Sequence, residues 1–175
     1  MGTLARTLDQ SLSLKERLQL KKSNKVLLLD YSGSMSSDCE PGISKIQALR
    51  DIVSKLSGIR IIAFNDIAWI LDNINATPRG GTYMSKAILY AQSMNYKQAV
   101  MVTDGEDAFC DQNAALEAVK DFQLQILYVG PGPRPEFLDK LGSKCTTESL
   151  SRPQELEGKL RLLLEDGQER KNIQL

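Results

Sequence analysis

Val26-Leu27-Leu28-Leu29-Asp30-Tyr31-Ser32-Gly33-Ser34 decides the fold. Four consecutive apolar residues are too short for a helix and carry no polar face, so they read as a strand buried on both sides, as in a parallel sheet. Three similar runs follow: residues 59–64, interrupted only by Arg60; residues 99–102, ending at Thr103 and Asp104; and residues 124–129, ending at Gly130. Residues 68–71 come after the turn-forming pair Asn65 and Asp66 and predict a short antiparallel strand at an edge.

Helical spacing fills the intervals. Ile43, Ile46, Leu49, Ile52, Val53 and Leu56 recur at three and four residues, which gives one apolar face. Met84, Ala87, Ile88, Ala91 and Met94 repeat the pattern, as do Ala115, Leu116, Val119 and Phe122, and then Leu156, Leu160, Leu163 and Leu164. Strand and helix in alternation predict an α/β protein of three αβα layers, with a mostly parallel central sheet and one short antiparallel edge strand. Gly130-Pro131-Gly132-Pro133 reads as a stiff connecting loop. The sheet domain is expected over residues 24–166. Residues 1–23 read as a helical extension: Leu4, Leu8 and Leu12 repeat every four residues, and Ser13 with Glu16 resembles a capping box. Residues 167–175 read as a tail.

Composition narrows the function. Lys plus Arg and Asp plus Glu are both 22 of 175 residues, so there is none of the basic excess that nucleic acid or an anionic membrane requires. The longest apolar runs are too short to span a bilayer, and the N-terminus lacks a signal-peptide core. Cys39, Cys110 and Cys145 are odd in number and widely spaced, which predicts reduced thiols and a cytoplasmic protein. The chain has no histidine, which removes Ser-His-Asp and Cys-His catalysis and histidine-held zinc.

The polar residues that follow the strands carry the chemistry. Ligands in such sheets sit beyond the C-terminal strand ends, where Asp30 and Asp104 both fall. Asp30, Ser32 and Ser34 alternate in extended chain, so three oxygen side chains can converge on one point, with Gly33 expected to let the backbone turn closely around it. Gly80-Gly81-Thr82 precedes a helix and brings a hydroxyl beside an open helix N-terminus. Asp104 supplies a second carboxylate. Oxygen donors of this kind suit a hard cation such as Mg2+.

Asp30-Tyr31-Ser32-Gly33-Ser34-Met35, Gly80-Gly81-Thr82 and Thr103-Asp104-Gly105 together resemble the three parts of the metal-ion-dependent adhesion site of von Willebrand factor A domains. The resemblance covers roughly residues 24–166, with the motifs in family order. It implies a Rossmann-like sheet with an antiparallel edge strand. It also implies that Ser32, Ser34 and Thr82 touch the metal through hydroxyls, while Asp30 and Asp104 act partly through bridging water. Mg2+ is the expected ion, with Mn2+ or Ca2+ as alternatives. The expected function is non-enzymatic binding of a partner protein whose Asp or Glu completes the metal shell, in an intracellular adaptor or a subunit working beside an AAA+ ATPase. The chain itself has no Gly-x-x-x-x-Gly-Lys phosphate loop.

Two other readings compete. One is a Mg2+ phosphotransferase with Asp30 as nucleophile, although the general acid such enzymes carry two residues on is here Ser32. The other is a structural domain with a vestigial site. Asp38, Glu40, Glu106, Asp107 and Asp111 predict an acidic, solvated rim, on which Cys39 and Cys110 also fall. Tyr31 and Phe109 are the apolar residues nearest the motifs, and Trp69 is expected to pack on the sheet.

Overall fold

β1 (Lys25–Asp30) is the strand the apolar run predicts, and it lies in the interior of a six-stranded sheet. The computed structural model describes residues 25–106 and 108–165, so the expectations for the 1–23 extension and the 167–175 tail lie outside the described residues. Parallel neighbours flank β1: β4 (Ile61–Phe64) pairs Leu29 with Ala63 and Asp30 with Phe64, and β6 (Gln98–Thr103) pairs Leu29 with Val102. Both the faces and the edges of β1 are therefore enclosed, which is why its four apolar residues are all 0% exposed.

The sheet runs β5-β4-β1-β6-β7-β8, where β5 is Ala68–Ile70, β7 is Gln123–Tyr128 and β8 is Lys144–Thr147. All pairings are parallel except β4 with β5, the expected antiparallel edge. Side chains alternate between two cores. Val26, Leu28, Met101 and Ile126 pack with α2 (Met84–Ser93), α3 (Gln112–Ala118) and α4 (Glu136–Leu141). Leu27, Leu29, Val100 and Leu127 pack with α1 (Lys45–Val53) and α5 (Pro153–Glu165). The architecture is the three-layer, Rossmann-like αβα sandwich the pattern predicts. Among the described residues, no helix is long and apolar enough to cross a membrane.

Some local expectations are corrected. Ile43 does not begin the first helix. It is 41% exposed in β3 (Ile43–Ser44), a two-residue strand paired with β2 (Asp38–Glu40), and α1 starts after Ser44, whose side chain accepts from the Gln47 amide. Val119 and Phe122 still pack in the core, but beyond the end of α3. β8 and α4 are additions. Lys144-Cys145-Thr146-Thr147 has no apolar run because an edge strand needs none, and α4 is a single short stretch that buries Phe137, Leu138 and Leu141.

The central position of β1 has a measurable consequence. Leu28→Ala is expected to lower unfolding stability by about 3 kcal/mol, through lost burial plus the cavity left behind. Urea titration should show a lower midpoint at an unchanged slope.

Candidate metal centre

The sheet order reverses around β1: β4 lies on one side and β6 on the other, and ligands of open α/β sheets sit beyond the C-terminal strand ends at such a switch. Asp30 closes β1, Thr103 closes β6, and Asp104 follows it directly. Asp30 is 0% exposed, and both its oxygens are held: Oδ1 accepts from the Ser32 amide at 2.8 Å and Oδ2 from the Thr103 hydroxyl at 2.6 Å. The chain then turns through a 3-10 segment (Gly33–Ser36) with Ser32 as its extended N-cap. That turn brings the Ser32 and Ser34 hydroxyls to 3.0 Å from each other, and Ser34 Oγ donates to Asp104 Oδ1 at 3.0 Å. One hydrogen-bonded chain thus joins Asp30, Ser32, Ser34 and Asp104.

Thr82 arrives on a separate loop that is sewn to the first. The Gly33 amide donates to Gly80 O at 3.0 Å and the Arg79 amide to Tyr31 O at 2.9 Å. Thr82 is 1% exposed, and among the described residues its hydroxyl oxygen is buried without a hydrogen-bond partner. An orphaned buried hydroxyl costs roughly 1–3 kcal/mol. Here it belongs to a residue that the sequence pattern assigns to a metal.

The glycine expectation shifts. A Cβ on Gly33 would meet only the Gly80 backbone, its O at 3.5 Å and its N at 3.9 Å, both ordinary contacts, so Gly33 is not sterically required. Gly80 is required: its φ is +74°, and a Cβ there would lie 2.1 Å from Asp66 Oδ2. Asp66 in turn accepts from the Gly81 amide, which fixes the loop that carries Thr82.

Lys45, unassigned by the sequence reading, sits at the first position of α1 with its ammonium in this site. It lies 2.8 Å from Asp104 Oδ2 and 3.4 Å from Glu106 Oε1, and donates to Ser34 O at 3.4 Å. Burial pulls the ammonium toward its neutral form, but the hydrogen bond and charge of Asp104, with Glu106 behind, outweigh that and raise its pKa. Asp30 moves upward too, from 3.8 to about 7. Burial drives the shift and the nearby Asp104 charge adds to it, while the Ser32 and Thr103 donors oppose both.

The donor set fits a hard cation. Among the described residues there is no group of three or more His, Cys, Asp or Glu side chains that could hold a metal, so an ion here would rest on two carboxylates and the hydroxyls of Ser32, Ser34 and Thr82. Oxygen donors with two charges suit Mg2+ or Mn2+ rather than a thiolate metal.

The rim differs from its expectation at one residue. Asp38, Glu40 and Glu106 are exposed, and Asp107 lies outside the described residues. Asp111 is 4% exposed and grips the start of α2, accepting from the Ser85 amide at 2.8 Å and from the Ser85 hydroxyl. The N-terminus of α2 is therefore occupied by a carboxylate rather than open. Tyr31 packs inward, donating its hydroxyl to Ile74 O at 2.8 Å and meeting Trp69 edge-on at 6.0 Å. Phe109 stands 84% exposed. The three cysteines are free thiols.

No family model matches the sequence, and no curated protein does. Among solved structures, the fold is similar to von Willebrand factor type A from Catenulispora acidiphila, with a TM-score of 0.59 at 18% identity, over 80% of this chain and 41% of that one. The chain thus spans less than half the length of that protein. The fold is that of a von Willebrand factor A domain.

The raised Asp30 pKa gives a pH test. Its stabilising contribution is present below about pH 4 and is lost as pH rises through about 7, because only the unfolded chain ionises easily over that window. In chelator, the wild type should lose on the order of 2 kcal/mol relative to Asp30→Asn as pH rises from about 5 to 8. Urea unfolding at each pH checks this, and parallel curves for the two proteins would refute it.

Proposed function

We propose that this chain is a non-enzymatic, metal-dependent protein-binding module. Asp30, Ser32, Ser34, Thr82 and Asp104 hold one Mg2+, or Mn2+ or Ca2+ in its place, and a partner protein's Asp or Glu completes the shell. When bound, the ion supplies a Lewis-acidic point for that carboxylate. The observation that carries the reading is the buried Thr82 hydroxyl without a partner, on a loop tied to the Asp30 turn.

The chain's own residues do the remaining work. Thr103 and the Ser32 amide hold Asp30, so its oxygens are oriented before any ion arrives. Asp111 and Asp66 fix the two ends of the segment that carries Thr82. A groove of about 630 Å3, lined in part by Asn65, Ile67, Trp69 and Arg79, shares Gly80 with the site and offers room for residues flanking the partner's acid. Phe109, exposed five residues after Asp104, offers an apolar contact at the rim.

The phosphotransferase alternative fares worse. The general acid that such enzymes carry two residues after the nucleophile is here Ser32, a hydroxyl far too weakly acidic for that role. A cytoplasmic setting, as an adaptor or beside an AAA+ ATPase, is our working assignment. It rests on the odd number and wide spacing of Cys39, Cys110 and Cys145, which suit thiols kept reduced.

Immobilised protein should capture a partner from its native extract in Mg2+ and release it in chelator. Asp30→Ala should abolish capture while keeping a cooperative unfolding transition. Phe109→Ala should weaken capture about tenfold or more, as loss of an exposed aromatic anchor does, and leave ion binding unchanged. Capture that survives both chelation and Asp30→Ala would sink the metal reading.

A further inference from the structure

We propose that Lys45 is a built-in counter-cation: by neutralising Asp104 it leaves a divalent ion in this centre with excess positive charge, which selects an anionic partner group. The proposal rests on the metal reading above and assigns Lys45 its role within that site.

Lysines ordinarily lay their stems on the surface and keep the ammonium in water. Lys45 does not. Its side chain is 3% exposed and that of Asp104 is 0% exposed, with 2.8 Å between Nζ and Oδ2. Nor does its place in the helix favour a cation, because the first position of α1 lies at the positive end of the helix dipole. The ammonium is held there by Asp104, by the Ser34 carbonyl and by Glu106, whose side chain is 48% exposed and partly screened by water.

The pairing divides Asp104 into two faces. Oδ2 is committed to Lys45, whereas Oδ1 faces Ser34 Oγ and the Glu106 amide, the hydroxyl side of the site. It also sets the charge balance. With Asp30 ionised, Asp30, Asp104 and Lys45 together carry a single negative charge. A divalent ion then ends one positive charge in excess, where without Lys45 the balance would be neutral. Charges in a buried site are only weakly screened by salt, so this excess is felt by whatever completes the shell. A neutral oxygen leaves it uncompensated, and a partner's carboxylate cancels it. Lys45 therefore weakens the ion's hold when the ion binds alone and strengthens the coupling between ion and carboxylate, a coupling that acts equally in both directions.

The test is calorimetric titration of Mn2+ and Mg2+ into the full chain at about pH 8, with and without acetate as the carboxylate probe. The proteins are the wild type, Lys45→Gln and Lys45→Arg. Gln keeps a donor for Asp104 without the charge, and Arg keeps the charge. Lys45→Gln is expected to bind Mn2+ at least about tenfold more tightly than wild type and to lose most of the acetate enhancement, while Lys45→Arg stays close to wild type. Thermal unfolding against Mn2+ concentration gives a second measure that serves even a destabilised variant: the ion should raise the midpoint of Lys45→Gln more than that of wild type. Equal or weaker Mn2+ binding by Lys45→Gln, with wild type binding the ion, would overturn the role of Lys45 alone. A wild type that responds to neither ion would overturn the metal reading and this inference with it.

Discussion

A strand hydrogen-bonded on both edges and covered on both faces cannot release its end into water gradually. β1 is such a strand, and at Asp30 it passes directly from a dry interior into a loop that must turn back over the sheet. A carboxylate at that point has to be satisfied by protein groups, because burying it unpaired costs several kcal/mol. The Ser32 amide and the Thr103 hydroxyl meet that demand, one from the following turn and one from the neighbouring strand. The rest of the centre is arranged around this anchor. Ser34 bridges to Asp104, and Gly33 bonds the loop that brings Thr82.

Two carboxylates in one buried site repel each other, and the protein answers them differently. Asp30 receives neutral donors only, so burial and the nearby Asp104 charge prevail and its pKa climbs to about 7. Asp104 receives an ammonium. Each carboxylate alone could be explained as structural polar satisfaction. The Thr82 hydroxyl is harder to explain that way, since a self-contained network would have given it a partner. A hard cation would supply one and would relieve the repulsion between the acids.

The face around this centre is mixed in character: an exposed aromatic at Phe109, acidic groups at Asp38, Glu40 and Glu106, and a groove that includes Trp69 and Arg79. Variety of this sort suits a protein surface better than a small uniform ligand.

The sequence by itself determined the layers, the central strands and their polar ends. Val26 to Leu29, the runs over residues 99–102 and 124–129, and the turn before residue 68 are local patterns with one sensible period, and each predicts a strand without reference to its partners. The candidate site residues stood out for the same reason, since Asp30, Ser32, Ser34, Thr82 and Asp104 follow predicted strands or precede a predicted helix. The edge strand β8 was not, because an edge needs no apolar run to declare itself. Nor were the groups that hold the site. In the sequence, Lys45 and Asp111 look like any solvated charge on a helix or loop, and Thr103 like the last residue of a strand. Only the packed structure buries Lys45 against Asp104, 59 residues away, closes α2 with Asp111 and aims Thr103 at Asp30 across 73 residues. Burial and charge pairing are properties of the assembled sheet, and no local period in the chain encodes them.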